Sequence, residues 1–203
     1  DNVIGVYSLV SDYGSQFLRF GENGPESVFE IQYSNQSNWY DWGCAHCSEG
    51  NYAIIMNGPR GWSGPEYAQG WSFNVPTAEF YNSFEEGDTR RDATVLDIEA
   101  FAAATGASYT EGYDHTGYFN NKYIPRAGES GGQTELNYLT NFRIIRYSDV
   151  LLMAAEAYNR GGIDDGLAQE FLNQVRRRAF GDDDHDISAS GTALTDAIWE
   201  ERK

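Results

Sequence analysis

The sequence predicts a mainly α protein, in which tetratricopeptide-like helical repeats are combined with long loop-rich insertions that contain short strands. Apolar and small residues recur at helical spacing in two successive stripes, over residues 147–158 and 168–179. Gly161 and Gly162 separate the stripes and are typical of a helix end. Residues 34–140, in contrast, are rich in Gly, Asn, Ser and aromatic residues. These observations predict a helical C-terminal part and a long region dominated by loops.

The first region covers residues 1–33. Two short apolar segments, residues 6–10 and 28–33, lie on either side of a Gly/Asn/Pro turn at residues 21–25. The second region, residues 34–140, contains a helix-like piece at residues 77–84 and strand-like alternation at residues 117–124. We assign residues 1–140 to one loop-rich, aromatic part.

The third region, residues 141–203, is helical. We expect residues 144–160 and 166–180 to form an antiparallel helix pair. A further helix starts near Leu194 and is still in phase when the sequence stops at Lys203. We therefore interpret the chain as the C-terminal half of a longer protein, cut before its end.

Charge limits the classes of partner. The chain has 14 Lys and Arg residues against 31 Asp and Glu residues, a formal net charge of −17. Such a surface repels phosphate backbones and anionic membranes, which argues against nucleic acid as a partner. The most apolar run, residues 144–155, is interrupted by Arg146, Ser148 and Asp149, so we predict no membrane span.

The two cysteines, Cys44 and Cys47, lie three residues apart with His46 between them. A structural zinc site needs four ligands, and no second cysteine pair is present in the sequence. A disulfide within the loop is the best interpretation if the protein is exported. Free thiols and a metal or redox role remain alternatives, and we assign no metal or cofactor.

Large aromatic residues are concentrated in the second region among Asn, Gln, Asp and Gly. Flat indole and phenol rings bury the C–H faces of pyranose sugars, and amides and carboxylates hydrogen-bond their hydroxyl groups. Polar flanks favour exposure of Trp39 and Trp42, and Tyr40 lies between them. The flanking Gly61 and Ser63-Gly64-Pro65 suggest that Trp62 lies at a loop tip. These four residues are the candidate glycan-binding residues, whereas Trp71 is expected to be structural.

Two sequence motifs, one typical of serine hydrolases and one of calcium-binding loops, lack the neighbouring residues that those functions require. Residues 128–132 read G-x-S-x-G, but Pro125 would interrupt the central strand that a serine hydrolase requires before this turn. Residues 182–186 form an acidic run, but an EF-hand loop starting there would have Ile187 in place of Gly and Ala193 in place of Glu. We expect a flexible loop and a solvated inter-helix link.

Several charged residues are expected to be scaffold rather than catalytic. Asp88 and Arg90 occupy a turn after the helix-like piece, where an ion pair and capping are expected. Glu156, Arg176 and Arg178 lie within the helix pair, where a buried charge is costly unless it is paired.

Ordered segments over most of the chain resemble the SusD/RagB family of bacterial surface lipoproteins. The Ile145 to Asn159 segment resembles the family's "iRYaDVLLmyAEAlne" helix, and the Ala168 to Ala179 segment resembles the helix that follows it. Further matching segments are residues 26–33, 75–91, 117–124 and 194–202.

The resemblance implies a SusD-like fold and non-enzymatic binding of an extracellular polysaccharide or oligosaccharide at the outer membrane. It also implies delivery of the glycan to a TonB-dependent SusC-like transporter, and attachment to the cell surface through a lipid outside this chain. Two alternatives remain: a glycoside hydrolase, because 31 acidic residues offer many carboxylate pairs, and a tetratricopeptide-type protein-interaction module.

Overall fold

The computed structural model describes residues 4–36, 42–129 and 136–203. Within these ranges there are seven α-helices: α1 Ala53–Met56, α2 Ala78–Asn82, α3 Arg90–Thr94, α4 Ile98–Thr105, α5 Tyr147–Arg160, α6 Asp165–Phe180 and α7 Gly191–Glu201. The strands in the same ranges are short: β1 Ser27–Ile31, β2 Arg60–Ser63, β3 Val95–Asp97, β4 Ser108–Thr110, β5 Tyr118–Asn120 and β6 Phe142–Arg146. None of the helices in these ranges combines the length and apolar character needed to cross a membrane.

The predicted helix pair is confirmed as α5 and α6. Their apolar stripes form a shared core, in which Leu151, Ala155, Ala168 and Leu172 are each 0% exposed. The Asp164 carboxylate caps α6 by accepting a hydrogen bond from the Leu167 amide at 2.9 Å. The link over residues 161–164 is too short for a parallel arrangement, so the helices are antiparallel.

The prediction was wrong at the start of the first helix. Residues 144–146 belong to strand β6, and α5 begins at Tyr147. These residues pair with β1, so tertiary contacts override the local helical pattern.

Helix α7 completes the helical core by burying Leu194 and Ile198 against α5 and α6. Side chains from the first region pack on the same core, including Ile4, Tyr7 and Val28. The core of the helical part is therefore built from residues near both ends of the chain. The predicted division after residue 140 and the predicted truncation at the C-terminal end stay predictions.

Strands β1 and β6 form an antiparallel ribbon that buries charged side chains and exposes apolar ones. Glu30 and Arg143 face inward and are each 7% exposed, and their side chains approach to 3.5 Å. The opposite face presents apolar side chains, Phe29, Ile31, Phe142 and Ile144. Burial of the two charges is tolerable because they are paired and the Arg143 guanidinium also donates to the Asn141 carbonyl at 2.6 Å.

Asn141 connects the end of the loop-rich region to the residues that precede its start. Its side-chain oxygen accepts a hydrogen bond from the Tyr33 amide at 3.0 Å, and its own backbone amide donates to Glu22 at 2.9 Å. Residues 34–140 thus leave and re-enter the rest of the protein at one place.

The loop-rich region has small cores of its own. One surrounds Ile98 and Phe119, and a second surrounds Ile54 and Tyr138. The predicted helix at residues 77–84 is confirmed as the shorter α2, capped by Thr77. The strand-like alternation at residues 117–124 is confirmed only as β5, which pairs with β3.

Candidate functional site

Four aromatic side chains form a partly exposed surface in the loop-rich region, which we call the aromatic platform: Trp42, Tyr52, Trp71 and Phe73. Trp42 and Tyr52 are each 41% exposed and Phe73 is 50% exposed, whereas Trp71 is half-buried beneath them. The ring centroids of Trp42 and Trp71 are 5.3 Å apart at an interplanar angle of 35°. Tyr52 packs edge-on against Trp42 at 6.1 Å, and Phe73 packs edge-on against Trp71 at 6.3 Å.

The Cys44–Cys47 disulfide holds the turn that presents Trp42. The two residues are joined with a Cα–Cα distance of 5.4 Å, within the 3₁₀ turn Trp42–Cys47. The predicted loop disulfide is confirmed and replaces the free-thiol alternative. Cys44, His46 and Cys47 lie close enough to share a metal ion, but the two sulfurs are bonded to each other and are not thiolate ligands.

Trp71 and Phe73 are positioned by backbone pairing with α1. The Trp71 amide donates to the Ile55 carbonyl at 2.9 Å, and the Phe73 amide donates to the Met56 carbonyl at 2.8 Å. Gly70 allows this close approach, because a Cβ atom there would lie 1.9 Å from the Asn57 carbonyl oxygen. As expected, Trp71 has a structural part: it packs against the buried Ile54 cluster.

Polar groups surround the platform. The Arg60 Nε donates to the Trp71 carbonyl at 2.7 Å, and its guanidinium carbon lies 5.6 Å from the centre of the Phe73 ring. Burial, and then the neighbouring Tyr52 phenol, raise the pKa of Tyr33 above its usual value. Tyr33 therefore stays a neutral hydroxyl group at physiological pH, able to donate a hydrogen bond.

The structure treats the four candidate glycan-binding residues differently. Trp42 is exposed, as expected, whereas Trp39 and Tyr40 lie outside the described residues. The loop-tip prediction for Trp62 was wrong: this residue lies in β2 and its ring packs on Tyr67 and Phe101, at centroid distances of 5.8 and 5.9 Å. Its indole Nε1 is buried and has no hydrogen-bond partner among the described residues.

Sequence reasoning missed two members of the platform, Tyr52 and Phe73. Phe73 has a signal in the sequence, since Ser72 and Asn74 flank it and polar flanks were the criterion used for Trp42. Both flanking residues adopt positive φ, 58° for Ser72 and 50° for Asn74. The backbone therefore adopts the left-handed conformation on each side of Phe73.

The residues expected to be scaffold all have charged partners. Arg90 contacts both Asp88 and Glu201. Arg176 bridges Glu201 and Glu85, each at 2.9 Å. Their roles as scaffold stay predictions, which the geometry supports.

Two further members of this set lie on α5 and α6. Arg178 pairs with the buried Glu26 at 2.8 Å. Glu156 accepts from Arg160 at 2.6 Å, from Trp199 Nε1 at 3.1 Å and from Arg202 at 3.3 Å. The hydrogen bond from Arg160 is the main cause that lowers the pKa of Glu156.

Ser130, in the G-x-S-x-G pattern, lies outside the described residues, so that prediction stays untested. In the acidic run, the Asp186 carboxylate pairs with Arg177, and the His185 ring stacks on Phe180 at 3.8 Å. These contacts are those of a surface link between α6 and α7.

Comparison with protein families matches residues 25–203 to the SusD family model. A curated relative, SusD-like protein P2 from Formosa agariphila, is 31% identical over 193 residues, which cover 88% of this chain and 36% of the relative.

Solved structures are similar over nearly all of this chain. Surface glycan-binding protein A from Bacteroides thetaiotaomicron, in complex with laminarihexaose, superimposes with a TM-score of 0.85 at 34% identity, covering 98% of this chain and 43% of that protein. A laminarin binding SusD-like protein gives a TM-score of 0.82 at 35% identity, covering 97% and 42%. The chain thus spans well under half the length of these relatives.

Proposed function

The chain belongs to the SusD family, and from this premise we propose that it binds an extracellular oligosaccharide of the laminarin type on the aromatic platform, without cleaving it. The single observation that supports the platform as the site is its pair of exposed faces, Trp42 and Phe73, held by the half-buried Trp71. One of the similar structures is a complex with laminarihexaose, and another is a laminarin binding SusD-like protein. These two relatives support the choice of ligand class.

The platform suits a chain of sugar rings better than a single ring. Trp42 and Phe73 both contact Trp71, so they can stack on neighbouring parts of one extended ligand. Each stacking contact contributes on the order of 1 kcal/mol beyond area burial. Arg60 lies at the side of the platform, where its guanidinium can hydrogen-bond sugar hydroxyl groups.

We also propose a non-enzymatic role. Hydrolysis of a glycosidic bond needs two carboxyl groups roughly 5 to 9.5 Å apart across the scissile bond. The platform consists of aromatic rings instead, and these provide affinity without a general acid or a nucleophile.

Family membership supports two finer parts of the proposal. The bound glycan is delivered to a SusC-like TonB-dependent transporter, and the protein acts at the cell-surface face of the outer membrane. Attachment there is through a lipid outside these 203 residues.

Calorimetric titration with laminarihexaose tests the site. Trp42→Ala and Phe73→Ala should each weaken binding about tenfold, the equivalent of about 1.4 kcal/mol. Trp199→Ala is the matched control, because Trp199 is 50% exposed but lies on α7. Unchanged affinity in both platform variants would show that the glycan binds elsewhere on the protein.

The same samples test the non-enzymatic role. After prolonged incubation, the mass spectrum of laminarihexaose should show the intact hexasaccharide only. Release of shorter oligosaccharides, abolished by one Asp or Glu substitution, would establish a glycoside hydrolase instead.

A further inference from the structure

A cavity of about 330 Å³ lies where the start of α5 faces α6 and the loop-rich region. This volume is within the range of small-molecule sites. Its wall includes Tyr13, Lys122, Arg146, Ser148, Leu152 and Arg178. None of these residues belongs to the aromatic platform.

Three cations converge on the buried Tyr13 ring at this cavity. Lys122 Nζ lies 5.3 Å from the ring centre, and the guanidinium carbons of Arg146 and Arg178 lie at 5.5 and 4.9 Å. Arg146 and Arg178 share a single carboxylate, Glu26. Lys122 forms no ion pair with any residue in the described ranges.

Other carboxylates line the cavity but have partners of their own. Glu85 and Glu201 pair with Arg176, and Asp149 pairs with Arg202. Asp88 pairs with Arg90 and Glu200 with Lys203. The positive charge around Tyr13 is therefore uncompensated locally, although the chain as a whole has a net charge of −17.

Two buried donors at the same wall also lack partners. Ser148 is 3% exposed, and neither its Oγ nor Arg178 Nε has a hydrogen-bond partner among the described residues. Ser148 lies in the first turn of α5, and both Arg146, at the N-cap position, and Ser148 line the cavity. The positive end of this 14-residue helix therefore lies at the cavity wall.

These positive charges also change the pKa of the Tyr13 phenol. Burial alone would raise its pKa, but Lys122 and Arg146 outweigh burial and lower the pKa below its usual value. An anion at this place is stabilised by the same charges.

We propose that this cavity is a carboxylate-binding site, in which Lys122 and Arg178 pair with the anion and the Ser148 hydroxyl donates a hydrogen bond to it. The carboxylate has two possible sources: a free acid such as a uronate, or an acidic side chain of the natural protein outside these 203 residues. The chemistry recognised is the same in both cases.

Titration of the ¹⁵N-labelled chain with sodium glucuronate at constant ionic strength, followed by NMR, tests the site. Saturable shifts are expected at the amides of Lys122, Ser148 and Arg178. Glucose is the matched neutral probe and should cause none of these shifts. Lys122→Gln should weaken glucuronate binding by about tenfold, since a charge-assisted hydrogen bond is lost.

Two further variants keep the test decisive. Ser148→Ala removes one donor without removing a charge and should weaken binding a few-fold. Arg91→Gln is the control, because Arg91 also lies over a tyrosine ring, that of Tyr81, but outside the cavity. It should bind glucuronate like the unaltered chain.

The natural full-length protein separates the two sources. Equal binding of glucuronate by both forms identifies a free acid as the ligand. Binding by the 203-residue chain alone shows that an internal carboxylate fills the site in the full-length protein. Absence of saturable shifts in both forms, or shifts unaffected by Lys122→Gln and Ser148→Ala, would overturn the proposal.

Discussion

The indole ring of Trp42 rests on that of Trp71, with 5.3 Å between the ring centres and 35° between the planes. Trp71 is anchored below by the Ile54 cluster. One face of the pair is therefore fixed by packing, while Trp42 keeps 41% of its surface in solvent. An exposed ring that is held in place loses little conformational entropy when a ligand stacks on it.

Trp62→Ala should destabilise the protein more than Trp42→Ala. Trp62 packs on Tyr67 and Phe101 in the core around Ile98 and Phe119, so its loss should lower the free energy of unfolding by about 3 kcal/mol. Trp42→Ala removes aromatic contacts at the surface and should cost about 1 kcal/mol. Urea denaturation of both variants measures the difference; equal losses would contradict the burial of Trp62.

Reduction of the Cys44–Cys47 disulfide should weaken laminarihexaose binding several-fold and lower the free energy of unfolding by about 2 kcal/mol or less. The bond closes a short loop, so its effect on the unfolded chain is small, but it holds the turn that presents Trp42. Calorimetry with and without reductant checks the affinity. In Trp42→Ala, reductant should cause no further loss, and an equal loss there would show that the disulfide acts elsewhere.

Glu26→Gln should lower the free energy of unfolding by about 3 kcal/mol. Glu26 is 1% exposed, pairs with Arg146 and Arg178, and accepts the Val10 amide at 3.0 Å. Neutralising it leaves two arginines without their buried counter-charge. Glu200→Gln, which breaks an exposed pair with Lys203, should cost less than about 1 kcal/mol, and similar losses in both variants would be inconsistent with the buried network.

Asp165→Asn should reduce the sensitivity of the protein to acid. Hydrogen bonds from Asn159 Nδ2 and then from the Gly191 amide lower the pKa of Asp165 below its usual 3.8. Its stabilising contribution is complete above the unfolded-state pKa and is lost as pH falls through the lower folded-state pKa.

The measurement is urea denaturation at a series of pH values from about 5 to 2. The unaltered chain should lose stability with a steeper slope than Asp165→Asn. Asp183→Asn, in the exposed link between α6 and α7, should keep the original slope. Identical slopes in all three proteins would rule out the contribution of Asp165.

The sequence predicted the helical frame better than the site. The stripes of α5 and α6 are local and long, so their period alone identifies the pair. Trp62 was misplaced because Gly61 and Gly64 resemble a loop, while the contacts that bury it come from Phe101, distant in sequence. Tyr52 was missed because the fold, rather than a local pattern, brings it beside Trp42. Phe73, two residues after Trp71, carried the signal of its polar flanks and was overlooked.

The hydrogen bonds at Asn141 bring the two ends of residues 34–140 together beside the helical frame. Because these two ends meet, we expect that another segment of similar span can replace residues 34–140 without moving α5, α6 or α7. The replacement must keep the contacts that fasten it to α6, where Glu85 reaches Arg176 and Thr89 donates to the Ala179 carbonyl at 2.7 Å. Such a replacement should change ligand preference through one segment while the helical frame stays the same.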